Sequence, residues 1–175
     1  AYQLRGKSGL PTNNNCLYGY RKDPDIKHHW LVDDEAAATV RRIYQMACEG
    51  HGPSEIARIL TEEKVDNPGY YFTKHACGMR SDYTKEAHAH DWNSLTISRI
   101  LTHQEYLGHT VNFRSSKRYY KDKRHANPPE KLLIFENTHE PIVTKETWEL
   151  AQCALKSKKR TDTLGAANPL TGLVY

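Results

Sequence analysis

The stretch from Ile43 to Leu101 constrains the fold of this chain more than any other part of it. Ile43-Tyr44-Gln45-Met46-Ala47-Cys48-Glu49-Gly50-His51-Gly52-Pro53-Ser54-Glu55-Ile56-Ala57-Arg58-Ile59-Leu60 reads as a helix end, a glycine-marked turn and a short amphipathic helix capped by Ser54. Helical periodicity returns at Trp92-Asn93-Ser94-Leu95-Thr96-Ile97-Ser98-Arg99-Ile100-Leu101. The two pieces have the character of a helix-turn-helix, with the second piece in the position of the recognition helix. Such a helix offers its N-terminal polar residues to base edges while its apolar side packs on the scaffold. An insert of about thirty polar, aromatic and basic residues replaces the usual turn of three or four. The expected motif is therefore a split helix-turn-helix.

Charge distribution supports a polyanionic partner. The 175 residues carry 25 Lys and Arg against 21 Asp and Glu, a net charge of only +4, but the cations are segregated. Residues 1–22 hold Arg5, Lys7, Arg21 and Lys22 and no acid. Residues 114–124 hold Arg114, Lys117, Arg118, Lys121, Lys123 and Arg124 against Asp122 alone, and Lys156, Lys158, Lys159 and Arg160 form a third run. Residues 23–66 are net acidic. Separate basic runs flanking a helix-turn-helix fit a nucleic-acid face better than general solvation. No apolar run approaches the ~18 residues of a membrane span, and the start lacks a secretory signal. The four cysteines, Cys16, Cys48, Cys77 and Cys153, form no Cys-x-x-Cys pair. Reduced, mostly buried thiols in a cytoplasmic protein, nucleoid-associated when bound to DNA, are the expectation. A start at Ala1 without Met reads as a fragment of a longer protein.

Local patterns give an α+β chain. Gly6, Gly9, Pro11 and the Thr12-Asn13-Asn14-Asn15 cluster make residues 1–22 look extended, a basic arm suited to a minor groove. A helix is expected from about Asp33 to Glu49, capped by Asp33, with Ala36, Val40, Ile43, Tyr44 and Ala47 inward. A second helix spans Pro53 to Glu63, with Ile56, Ala57, Ile59 and Leu60 inward. The third, Ser94 to His103, buries Leu95, Ile97, Ile100 and Leu101. Tyr106–Arg114 and Leu132–Phe135 alternate as strands, with the basic stretch between them as an arm or wing. A last helix starts at Thr144-Lys145-Glu146-Thr147 and passes through Trp148, Leu150, Ala151 and Leu155. The expected architecture is a helical cluster with a split helix-turn-helix, a small antiparallel sheet and a C-terminal helix.

Several short motifs follow one another in a specific order. They are Leu17-Tyr18-Gly19-Tyr20-Arg21, Asp33-Asp34-Glu35-Ala36, Val40-Arg41-Arg42-Ile43-Tyr44, and Gly50-His51-Gly52-Pro53-Ser54-Glu55-Ile56-Ala57. Trp92-Asn93, Ile97-Ser98-Arg99-Ile100-Leu101, Tyr106-Leu107-Gly108, His139-Glu140-Pro141-Ile142-Val143 and Trp148 follow. In that order they resemble the central "recombinase" domain of the large serine recombinases, the enzymes that move phages and integrative elements. The resemblance implies residues 17–160 as the DNA-binding domain, 1–16 as a basic linker from a catalytic domain, and 161–175 as a linker toward a zinc ribbon. It also implies attachment half-sites in duplex DNA as the partner, self-association of the parent as a dimer on one site and a tetramer in synapsis, and no membrane. Strand cleavage falls to the separate catalytic domain, so no catalytic residue, metal or cofactor is expected here.

Within that frame the candidate base readers are Ser94, Thr96, Ser98 and Arg99. Arg5, Lys7, Arg21 and Lys22 are expected to follow phosphates or a minor groove. Lys74 and Arg80 of the insert, with Arg114, Lys117, Arg118, Lys121, Lys123 and Arg124, add backbone contacts. Two other classes fit parts of the pattern. A winged-helix transcriptional regulator also has three helices and a basic hairpin. A metal-dependent nuclease could use His75, Cys77, His88 and His90, whose types suit tetrahedral zinc but whose spacing is not a recurring zinc pattern. Trp30, Trp92 and Trp148 are read as core anchors.

Overall fold

The computed structural model describes residues 2–12, 15–75, 86–117, 119 and 121–157. Its elements, in chain order, are α1 (Tyr2–Lys7), β1 (Tyr20–Lys22), β2 (Trp30–Val32), α2 (Asp34–Cys48), α3 (Pro53–Glu62), α4 (Pro68–Lys74) and α5 (Ser94–Thr102), then β3 (Thr110–Asn112), β4 (Ser115–Ser116), β5 (His125–Ala126), β6 (Leu133–Phe135) and α6 (Lys145–Ser157). Helices dominate, and the strands form antiparallel pairs β1–β2, β3–β6 and β4–β5 rather than one sheet.

The helical core follows from the apolar stripes. Ala36, Ala37, Val40, Ile43, Tyr44 and Ala47 of α2 are buried, as are Ile56, Ala57 and Leu60 of α3 and Ile97, Ile100 and Leu101 of α5. The closest helix pairs are α2 with α6 and α3 with α5. Each fully buried aliphatic side chain contributes about 1.5–3 kcal/mol relative to an exposed one. Among them sit tyrosines whose hydroxyls are all hydrogen-bonded. Tyr44 donates to Ile100 O at 2.9 Å, Tyr106 to Tyr18 O at 2.9 Å, and Tyr20 to Glu140 O at 2.9 Å. Burial raises the pKa of all three, so the phenols stay neutral donors that tie separate segments of the chain together.

Helix boundaries fall close to expectation, but several local details differ. Gly52, not Ser54, is the N-cap of α3, because Pro53 occupies the first helical position and pushes Ser54 into the first turn. Asp33 precedes α2 without a side-chain cap; its carboxylate accepts the Tyr71 hydroxyl at 3.0 Å instead. That bond ties the insert to the core, with Tyr71 and Phe72 packed edge-on against Tyr18. Leu95, expected inside, is 58% exposed. Thr144 caps α6 as expected, its hydroxyl accepting from Thr147 N at 3.2 Å. Trp30 and Trp92 are buried, and Trp148 packs partly buried against the same core.

Two segments are corrected outright. Residues Tyr2–Lys7 are helical rather than extended. The expected strand from Tyr106 is instead a 3-10 turn over Gln104–Leu107, a left-handed Gly108 (φ 84°) and only then β3. Gly108 is required there, since a Cβ would come within 2.5 Å of His139 O. The β3–β6 pair does form, with Val111 opposite Ile134, and the short β4–β5 pair stands between them in the chain. The thiols also depart from expectation: Cys16 is buried, but Cys48 and Cys153 are exposed. Cys77 lies outside the described residues. Among the described residues no helix is long and apolar enough to cross a membrane.

Candidate nucleic-acid interface

Helix α5 is built to show one face. Asn93 caps it, its Oδ1 accepting from Thr96 N at 2.8 Å and from the Thr96 hydroxyl at 3.0 Å. This satisfies an orphan N–H of the first turn and fixes the helix start. Ile97, Ile100 and Leu101 face α3 and the core, and Gln152 of α6 donates to Leu101 O at the far end. Ser94, Leu95, Arg99 and Thr102 remain exposed, with Ser98 half-buried among them. The sequence of α5 contains no acid. Of the four expected readers, Thr96 is therefore partly spent on the cap, while Arg99 has a free run to solvent.

The chain leaves α5 through Glu105, a buried carboxylate that no sequence pattern announced. Glu105 accepts Arg114 Nε at 3.0 Å and Nη2 at 2.5 Å, and His103 Nδ1 lies 3.0 Å from its Oε2. Burial alone would raise its pKa, but the hydrogen bonds from His103 and Arg114 and their charges outweigh that, and the carboxyl lies below its ordinary value. Arg114 is thus engaged, with His103, in holding the Glu105 carboxyl low. It also fixes the root of the β4–β5 arm relative to the end of α5.

The arm and the N-terminal helix meet on a second hub. Asn112 is 1% exposed and uses its whole amide: Oδ1 accepts from Thr12 N and Oγ1, both at 3.1 Å, while Nδ2 donates to Gly6 O at 3.1 Å and Leu10 O at 2.9 Å. Arg5 Nη2 donates to Thr12 O at 2.7 Å inside this loop. Gly6 lies so close to Phe113 that a Cβ would enter the ring. The result sets Gln3 of α1 and Lys117 and Arg124 of the arm around one shallow depression.

The remaining expected contacts distribute as follows. Lys7, Arg21, Lys22, Lys117, Lys121, Lys123 and Arg124 are exposed. Arg21 and Lys22 lie on β1, and Lys22 shares a depression with Pro11 at the end of the N-terminal arm. Lys74 pairs with Asp66 at 3.3 Å. Arg80 and Arg118 lie outside the described residues, as do Tyr120 and the run Lys158, Lys159, Arg160. The structure brings α1, the arm and the end of α5 together; it leaves Lys74 on the insert side, paired.

The insert histidines already have carboxylate or ring neighbours. His88 Nδ1 is 2.6 Å from Asp91, His90 Nδ1 is 3.4 Å from Asp66, and His75 stacks on Tyr71. Among the described residues no group of three or more His, Cys, Asp or Glu is placed to hold a metal ion. Sequence reasoning missed Asn112 because its partners lie 100 to 106 residues away in the chain, and Glu105 because nothing in its local pattern announces that a carboxylate there is buried. The Asn93 cap was missed as well, although an Asn directly before a helical period is a signal that could have found it.

A family model described as Recombinase matches residues 34–158. Among solved structures, one described as a crystal structure of an LSR-DNA complex aligns at 18% identity and TM-score 0.51, over 89% of this chain and 36% of that one. Another, described by the sequence requirements of the Listeria innocua prophage attP site, aligns at 20% identity and TM-score 0.44, over 88% of this chain and 48% of that one. The chain therefore spans less than half of either.

Proposed function

The chain belongs to the Recombinase family, and from that premise we propose that it binds attachment half-sites in duplex DNA as the non-catalytic central domain of a large serine recombinase. The observation that carries this reading is the α5 face: a capped helix, packed through Ile97 and Leu101, exposing Ser94, Leu95, Arg99 and Thr102 with no acid. In this reading α3 and α5 are the two halves of the split helix-turn-helix, with α4 and the rest of the insert between them. Arg99 meets base edges in the major groove. Lys7 of α1, Arg21 and Lys22 of β1, and Lys117, Lys121, Lys123 and Arg124 of the β4–β5 arm follow phosphates, which position the domain without reading sequence.

The described serines do not converge on an acid-base pair. Ser94 sits beside the α5 cap, Ser54 in the first turn of α3, and Ser8 donates to Arg5 O at 2.9 Å. Phosphoryl transfer by a serine needs an activated nucleophile within a cluster of cations. We assign it to a catalytic domain of the parent protein. Residues 17–160 are the binding domain in this proposal. The preceding segment docks on it through the bonds of Asn112 to Gly6, Leu10 and Thr12. Synapsis through a dimer on each site, and a tetramer across two, is proposed for the parent.

Footprinting of the 175-residue chain on the ends of the element that encodes it tests this function. Protection of a defined half-site, without strand breaks or a covalent protein–DNA adduct, is expected. Uniform protection along the duplex would contradict sequence-specific binding, and an adduct would contradict the non-catalytic assignment.

A further inference from the structure

Leu95 is out of place for an ordinary amphipathic helix. At about 100° per residue, Leu95 and Thr102 stand at the middle of the solvent face of α5, opposite the fully buried Ile97. Arg99 and Ser98 flank that centre line. The position of greatest exposure is where such a helix normally carries a polar group; here it carries a leucine 58% exposed. Its neighbours on the face have short hydroxyl side chains or, for Arg99, a long cationic one. Leu95 is thus the single bulky apolar projection of α5 toward solvent. It is also the second residue of the helix, in the turn that enters deepest when a recognition helix docks by its N-terminal end.

We propose that Leu95 reads the C5-methyl group of a thymine in the major groove. This rests on the DNA-binding function proposed above and gives it a specificity-determining residue. The thymine methyl is the apolar feature that a base pair presents in that groove, and recognition helices meet it with apolar side chains. The absence of any acid on α5 suits the polyanion that must lie against it. Arg99, one turn further on and exposed on the same face, is left for a neighbouring base.

The test begins by selecting bound duplexes from a randomised ~30-bp pool with the 175-residue chain, a length that covers three turns of duplex. Each thymine of the enriched site is then replaced singly by deoxyuridine, which removes the methyl and keeps the pairing. Wild-type protein should lose about 3- to 5-fold in affinity at one or two positions, the equivalent of one methyl group withdrawn from its apolar neighbour. Leu95→Ala, which keeps helix propensity, should bind thymine and deoxyuridine equally at those positions. An enriched site with a flat deoxyuridine profile, or one with the same penalty in Leu95→Ala, overturns the role of Leu95 alone. Failure to enrich any sequence overturns the DNA reading beneath it. Self-association that disappears in Leu95→Ala, with DNA affinity unchanged, assigns the residue to an interface between copies and also overturns the proposal.

Discussion

At the scale of single residues, buried polar groups do the joining that short strands cannot. β3 is three residues long, yet its Asn112 holds the N-terminal arm through four hydrogen bonds from one amide. All of the amide's donors and acceptors are used. Removing it strands Gly6 O, Leu10 O and Thr12 N in a partly buried site. Asn112→Ala should therefore lower unfolding free energy by about 2–4 kcal/mol, more than one ordinary hydrogen bond. Urea denaturation measures this; a loss below about 0.5 kcal/mol would mean that the arm is not docked. Glu105 acts comparably, since it joins the end of α5 to the root of the β4–β5 arm through Arg114. An Arg114→Ala variant would leave a buried carboxylate without two of its hydrogen bonds. Its DNA phenotype must be read with that structural cost in mind.

At the scale of elements, the helices were legible and the irregular parts were not. α2, α3, α5 and α6 announce themselves through period because their burial is a one-dimensional pattern, whereas of the expected caps only Thr144 of α6 holds. Leu95 defies that pattern, which ranks a residue by hydrophobicity and cannot see that its helix face has no partner. Gly6 makes residues Tyr2–Lys7 look extended, although the glycine is there for the close approach of Phe113 rather than for a turn. The strand expected from Tyr106 fails for a similar reason: Tyr106 is buried by the tyrosine cluster, not by a pleat. Of the interface, the exposed cations were legible as charge, but the engagement of Arg114 and Lys74 by carboxylates was not. The arm carries a prediction of its own. Lys121→Ala with Lys123→Ala should weaken selected and random duplexes by the same factor. The salt dependence of log affinity should become shallower by about 1–2, roughly one unit for each phosphate no longer neutralised. Titrations at a series of salt concentrations check this, and a loss confined to the selected duplex would place these lysines on bases.

For the whole molecule, stability depends on the charge state of buried groups and so carries a pH signature. His139 packs edge-on against Tyr20 and its Nε2 lies 2.8 Å from Glu105 O. Burial lowers its pKa from the ordinary 6.5, so the folded state holds it neutral. Between the ordinary and lowered values the unfolded chain binds more protons, and stability rises with pH. That contribution is complete above 6.5 and is lost as pH falls through the lowered value. Glu105, also lowered, adds a second loss as pH falls from its ordinary 4.5 through its own folded value. Thermal midpoints should decline from about pH 7 downward, and His139→Gln should flatten the upper part of that decline. A midpoint that rises on acidification over that range would contradict the burial of a neutral imidazole. In the proposed function α5 reads sequence while the surrounding cations only hold the duplex. Binding of Arg99→Ala and of wild type to the selected duplex and to a scrambled one separates the two roles. Affinity for the selected duplex should fall by about 1–3 kcal/mol, the value of one base contact, while the scrambled duplex loses far less. An equal loss on both duplexes would show that Arg99 is one more phosphate contact and that α5 is not the reader.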